Sequence, residues 1–130
     1  MNGYNVRITN VSKELSAKER VKIKDTSNAI SLDELTLKEG KVIIDIEMWA
    51  ELAVHNEKSE NTDYTVFIIV DKSGNKYVTS SPSFITTFRD IDDEMRDAFG
   101  GEEDTSYEIE VYRKESKNYK GKEFITCSII

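Results

Sequence analysis

Apolar and polar positions alternate along much of this chain. From Val42 to Val54 every even position is apolar: Val42, Ile44, Ile46, Met48, Ala50, Leu52 and Val54. The odd set, Ile43, Asp45, Glu47, Trp49, Glu51, Ala53 and His55, is mostly polar. A period of two predicts a strand with one apolar face. A helix over 47–54 competes, because Glu, Met, Ala and Leu favour helices, but the unbroken alternation favours the strand. A strand of that length must bend or serve two sheets.

Downstream, Tyr64 to Val70 reads as a buried strand, Asp71 to Asn75 as a turn with Gly74 free to take positive φ, and Lys76 to Ser80 as the returning strand of a hairpin. Ser81-Pro82 opens a helix whose stripe is Phe84, Phe88, Ile91 and Met95, and Gly100-Gly101 ends it. Tyr107 to Arg113 and Phe124 to Ile130 alternate as a second hairpin. Residues 1–40 are less regular. Val6, Ile8 and Val11 suggest a strand. Ser16-Ala17-Lys18-Glu19 fits a capping box, but Arg20 to Lys24 alternates, and a strand is preferred there. Ser31 to Glu34 matches a second capping box that opens a helical turn before Gly40.

The order from residue 41 is three strands, a helix and two strands. That order predicts a mainly β protein with an OB-fold-like five-stranded barrel, the helix between strands three and four, over residues 41–130. Residues 1–40 are an N-terminal extension packed on it, so the expectation is a single domain over 1–130.

Composition agrees with strand: Ile and Val number 23 against 5 Leu. The charged fraction is 33%, and 18 Lys and Arg against 25 Asp and Glu give a net charge of −7, which argues against a uniformly basic coat. One Cys excludes an intrachain disulfide framework and a Cys-cluster zinc site. No apolar run spans a bilayer and the first residues carry no apolar signal core, so a soluble intracellular protein is expected. No Walker loop, dinucleotide fingerprint, zinc-protease motif or nucleophile elbow occurs; neither a catalytic site, a metal site nor a cofactor is expected.

Charge is segregated. Between Arg113 and Lys122 the second hairpin carries five cations, Arg113, Lys114, Lys117, Lys120 and Lys122, against Glu115 alone, interleaved with Tyr112 and Tyr119. Cations neutralise phosphates and aromatic faces stack on bases, so this finger is the first candidate for binding nucleic acid. If Val66 and Ile68 face the core, Phe67 and Tyr77 face outward and add a stacking platform. A covered face, shielded by residues 1–40, is the competing reading. An acidic block opposes the finger: Asp90, Asp92, Asp93, Glu94, Asp97, Glu102, Glu103 and Asp104, with Arg96. It reads as solvated surface or as a lure for basic partners. Trp49, among carboxylates, is structural or an interface residue; His55 is ordinary surface; Cys127 is a small core residue.

The segment Arg113 to Ser128, with Ala53 to Lys58, Tyr64 to Asp71 and Ser81-Pro82-Ser83-Phe84, resembles single-stranded DNA-binding proteins of phages and prophages of Gram-positive bacteria. The resemblance covers about residues 41–130. It implies an OB-fold that coats exposed DNA strands in phage replication or recombination, in the host cytoplasm, without enzymatic activity. Expected partners are single-stranded DNA, replication or recombination proteins, and further copies of the chain, with no membrane. There is no Gly/Pro-rich linker, and the chain ends in Ile129-Ile130 rather than an acidic peptide. The rival reading is a phage protein-interaction module that presents its acidic surface on a β-barrel scaffold.

Overall fold

The computed structural model describes residues 3–58, 60–98, 107–118 and 121–130. Among the described residues seven strands and three helices run in the order β1 (Tyr4–Val11), α1 (Ala17–Lys24), β2 (Ile30–Ser31), α2 (Leu32–Glu39), β3 (Lys41–Asn56), β4 (Asp63–Asp71), β5 (Lys76–Thr79), α3 (Pro82–Ala98), β6 (Glu108–Glu115) and β7 (Glu123–Ile129). The sheet order is β2-β5-β4-β3-β6-β7, with β1 also on β3. The molecule is therefore mainly β, a curled open sheet rather than a five-stranded barrel. The two extra strands come from residues 1–40. β1 lies antiparallel on β3, and β2 adds in parallel to β5.

The 16-residue strand β3 organises everything else. Its first part, Lys41 to Asp45, pairs with β6, and from Ile46 onward it pairs with β4. Between Ile46 and Met48 the register to β4 slips by one residue, which is a β-bulge. Because the side-chain period is two, one extra residue exchanges the faces. Ile44 and Ile46 therefore share a core with the odd-numbered Trp49, while Met48, Ala50, Leu52 and Val54 enter a second core on the other side. The expectation of one continuous apolar face is corrected accordingly.

The first core lies beneath α3. Phe84 and Phe88 of its stripe stack at 5.9 Å and meet Phe67, Trp49 and Tyr107. Leu32 of α2 closes another side. The second core lies beneath the 12–26 segment, which supplies Leu15 and Ile23. Strand β4 is thus covered on both faces, which is why residues 66–70 form an unbroken apolar run.

At residues 20–24 the helix wins over the expected strand. The Ser16 side chain accepts from the Glu19 amide and the Glu19 carboxylate accepts from the Ser16 amide, so both halves of the capping box are present. The alternation there has no buried counterpart, since Val21 is 71% exposed and only Ile23 of the helix packs inward. In α2 the Ser31 side chain accepts from the Glu34 amide, and the helix ends at Gly40, whose φ of 80° is open to glycine at little cost. Ser81 caps α3, with Pro82 as its first residue. The proposed stop at Gly100-Gly101 lies outside the described residues. No helix among the described residues is long and apolar enough to cross a membrane.

Candidate nucleic-acid interface

The β6–β7 hairpin extends past the edge of β3, where Lys41 meets Tyr112. Alternation splits its residues between two faces. Ile109, Val111 and Arg113 face Ile125 and Cys127 on the core side. Glu110, Tyr112 and Lys114 lie on the other face with Phe124 and Ser128 of β7, in cross-strand register with Ile43 and Lys41 of β3, whereas Thr126, between them, is buried with its hydroxyl 3.5 Å from Thr87 Oγ1 of α3. Tyr112 and Phe124 are half-buried, and Ile43 is 57% exposed. The Tyr112 hydroxyl lies 2.9 Å from Ser128 Oγ, which fixes the ring on the sheet. Lys41 forms an ion pair with Glu110. The outcome is a shallow face with two rings flanked by Lys41 and Lys114, leading to a tip where Lys117 and Lys122 are exposed.

The expected site residues of the hairpin separate into three groups. Lys114, Lys117 and Lys122 reach solvent, and Tyr112 belongs to the outward face. Tyr119 and Lys120 lie outside the described residues. Arg113, by contrast, faces inward: one guanidinium nitrogen donates to the Asp33 carbonyl of α2 at 2.8 Å, and another lies 3.8 Å from Glu123. It ties the hairpin to α2.

Phe67 and Tyr77 require a correction. Phe67 is 0% and Tyr77 9% exposed, and both belong to the core under α3. Both faces of β4 are covered: Val66 and Ile68 point toward Leu15 and Ile23, and Phe67 points under Phe84 and Phe88 of α3, with Leu32 of residues 1–40 in the same core. No free ring face remains at either position. Sequence reasoning missed Phe124, Ile43 and Lys41. The signal for Phe124 was available, because in a hairpin joined by 116–122 it stands opposite Lys114.

The acidic block divides in the same way. Asp90, Asp93, Glu94 and Asp97 are exposed on α3. Asp92 is buried, and it accepts from Tyr107 Oη at 2.8 Å and from Arg96 Nε at 2.7 Å. The same Arg96 donates to the Ser12 carbonyl at 2.6 Å and lies over the Trp49 ring. Asp92 therefore fastens α3 to β6 and to the end of β1 rather than forming part of an acidic lure. Residues 102–104 lie outside the described residues. Burial pushes the Tyr107 hydroxyl upward in pKa, with the Asp92 carboxylate adding to the effect. Cys127, expected in the core, is buried, and that burial raises its thiol to about 12.

A separate pair of clefts opens where the sheet runs beyond α3. They share Tyr64 and Thr65 and measure about 670 and 300 Å³. Arg89 lines the first and Arg7 and His55 the second. Arg89 pairs with Glu51. The hydrogen bond to Asp63, with Glu57 also near, holds His55 above its ordinary pKa. Among the described residues no group of three His, Cys, Asp or Glu side chains could hold a metal ion. Comparison with protein-family models, with curated proteins and with solved structures gives no match.

Proposed function

We propose that this protein binds single-stranded DNA without sequence preference and without catalysis, through the outward face of β3, β6 and β7 and the tip they lead to. The observation that carries the reading is the register of Tyr112 beside Lys41 and of Phe124 beside Lys114. Half-buried rings there stand beside exposed cations, which is the pairing an unpaired polynucleotide requires. A base stacked on such a ring gains about 1–3 kcal/mol. The net charge of −7 is no obstacle, since charges act locally within a Debye length of about 8 Å. The order of β3, β4, β5, α3, β6 and β7, with β3 serving two sheets, supports a partly open barrel of the OB type. A role in phage replication or recombination in the host cytoplasm belongs to the same proposal and rests on the resemblance described above.

The test is the anisotropy of a fluorescein-labelled oligo-dT, because Trp49 is buried away from this face. Binding is expected to weaken with salt by about 0.7 log units per log unit for each phosphate neutralised. Lys114→Glu with Lys117→Glu should lower affinity at least tenfold and flatten the salt dependence. Tyr112→Ala should weaken binding while leaving most of the fold intact. Absence of any anisotropy change at tens of micromolar protein would overturn the reading. The exposed carboxylates of α3 would then favour the protein-interaction alternative.

A further inference from the structure

The sheet has several edges, and they are not treated alike. The edge of β5 is occupied by β2. The edge of β7 is covered by α3, from which Ser83 Oγ donates to the Ile125 carbonyl at 2.9 Å. Strand β1 pairs with β3 on one side and, among the described residues, with no strand on the other. The devices that usually blunt such an edge are missing from its first part. Tyr4 to Ile8 contains no Pro and no Lys, and its one charge is Arg7.

The groups left open on that edge follow from the ladder. In an antiparallel pair the N–H and C=O of one residue point to the same side, and successive residues alternate. The Gly3 carbonyl accepts from the Glu57 amide at 2.7 Å, so Gly3, and with it Asn5 and Arg7, bond toward β3. Tyr4, Val6 and Ile8 therefore present theirs outward. The register slips between Ile8 and Asn10, after which the Ser12 amide donates to the Trp49 carbonyl. Val11, the next outward residue, has its amide satisfied by Asn10 Oδ1 at 3.1 Å. The open run is thus confined to Tyr4, Val6 and Ile8.

We propose that two copies of this chain associate by antiparallel pairing of β1 with β1 of the second copy, with Val6 on the two-fold axis. The run is complementary to itself in that register alone. Tyr4 meets Ile8 of the second copy, Val6 meets Val6, and Ile8 meets Tyr4, so every open group finds a partner. A dyad on Asn5 would pair Tyr4 with Val6 and leave Ile8 outside the open run, and a dyad on Arg7 would pair Val6 with Ile8 and leave Tyr4 outside it. A dyad on Ile8 would run into the bulge. Centring on Val6 also puts Arg7 beside Asn5 of the second copy rather than beside a second Arg7, which removes a like-charge contact. On the opposite face it adds Tyr4, 47% exposed in the single chain, to Ile8 of the second copy as an aromatic and β-branched pair. A two-fold contact of this kind closes, so it yields a dimer and not a filament. The inference does not rest on the nucleic-acid reading.

Two experiments test it. Sedimentation equilibrium up to about 200 µM should give the mass of a dimer, in the range where small interfaces associate. Mild oxidation reads the register, because the native Cys127 is buried. Val6→Cys should form a disulfide-linked dimer. Asn5→Cys and Arg7→Cys should each remain free of a disulfide crosslink alone and crosslink when mixed, since those positions oppose each other. Val6→Pro removes an outward donor and spares the ladder to β3. It should abolish the dimer while leaving the Trp49 emission of the folded chain unchanged. A monomer mass throughout, or crosslinking of Asn5→Cys alone as fast as Val6→Cys, overturns the proposal. So does a mass shift seen only when another protein supplies an extended segment.

Discussion

Replacing Phe67 separates a core ring from a binding ring, and the structure sets the size of the effect. Phe67 is fully buried, stacked on Trp49 at 5.3 Å and edge-on to Phe88 at 5.2 Å and Phe84 at 6.3 Å. Truncating such a ring to Ala removes its transfer free energy and leaves a cavity, together about 3–5 kcal/mol. The three ring contacts, each worth about 0.5–1.5 kcal/mol beyond area, push the value to the upper end. A domain of this size holds about 5–15 kcal/mol in total, so Phe67→Ala approaches the limit of folding. Phe67→Leu keeps most of the volume and should cost about 1–2 kcal/mol. Urea unfolding followed by Trp49 fluorescence reads it directly, because Trp49 stacks on the substituted ring. With a urea slope of about 2 kcal/mol/M, the midpoint of Phe67→Leu should fall by roughly 0.5–1 M. Oligo-dT affinity, measured where both proteins are folded, should be unchanged. An unshifted midpoint accompanied by lost affinity would refute the reasoning and return Phe67 to the interface.

Other consequences follow from buried and exposed titratable groups. Tyr107→Phe removes the 2.8 Å bond to the Asp92 carboxylate and should cost about 1.5–3 kcal/mol in urea unfolding, with little change in nucleic-acid affinity. The Cys127 thiol, raised to about 12 by burial, should stay unreactive toward a thiol reagent at pH 8 and become reactive only across the unfolding transition. His55 has its pKa raised above 6.5 by the hydrogen bond to Asp63, so its protonated form is favoured in the folded state. Its contribution is fully present below pH 6.5 and is lost as pH rises through the raised value. His55→Asn should flatten the stability profile across that interval in chemical denaturation. A profile identical to that of the parent protein would show that the Asp63 contact carries no linkage.

Local patterns that read their own neighbours were legible in advance. The hairpin of β4 and β5, the Ser81-Pro82 start of α3, its Phe84 and Phe88 stripe, and the β6–β7 hairpin depend on period, turn chemistry and capping within a few residues, and the structure has them where the chain placed them. The length of β3 implied a strand shared between sheets, and it pairs with β6 in one and with β1 and β4 in the other. The cationic tip was visible because charge along a hairpin is a property of the chain itself.

Facing was another matter, and it decided which side chains can meet a ligand. A single extra residue near Glu47 exchanges the two faces of β3, and nothing in a local alternation announces a bulge. Its consequence spreads through the register: Trp49 and Phe67 turn under α3, Val66 and Ile68 turn toward Leu15 and Ile23, and the expected stacking platform disappears into the core. Arg113 shows the same limit. Its charge is plain from the chain, but only the approach of α2 turns that charge to a backbone carbonyl instead of solvent. Residue type and short-range pattern thus determine which elements form. Which face each element buries, and so which cations and rings are left for binding, is set by contacts between segments far apart along the chain, because burial is a property of the assembled layers.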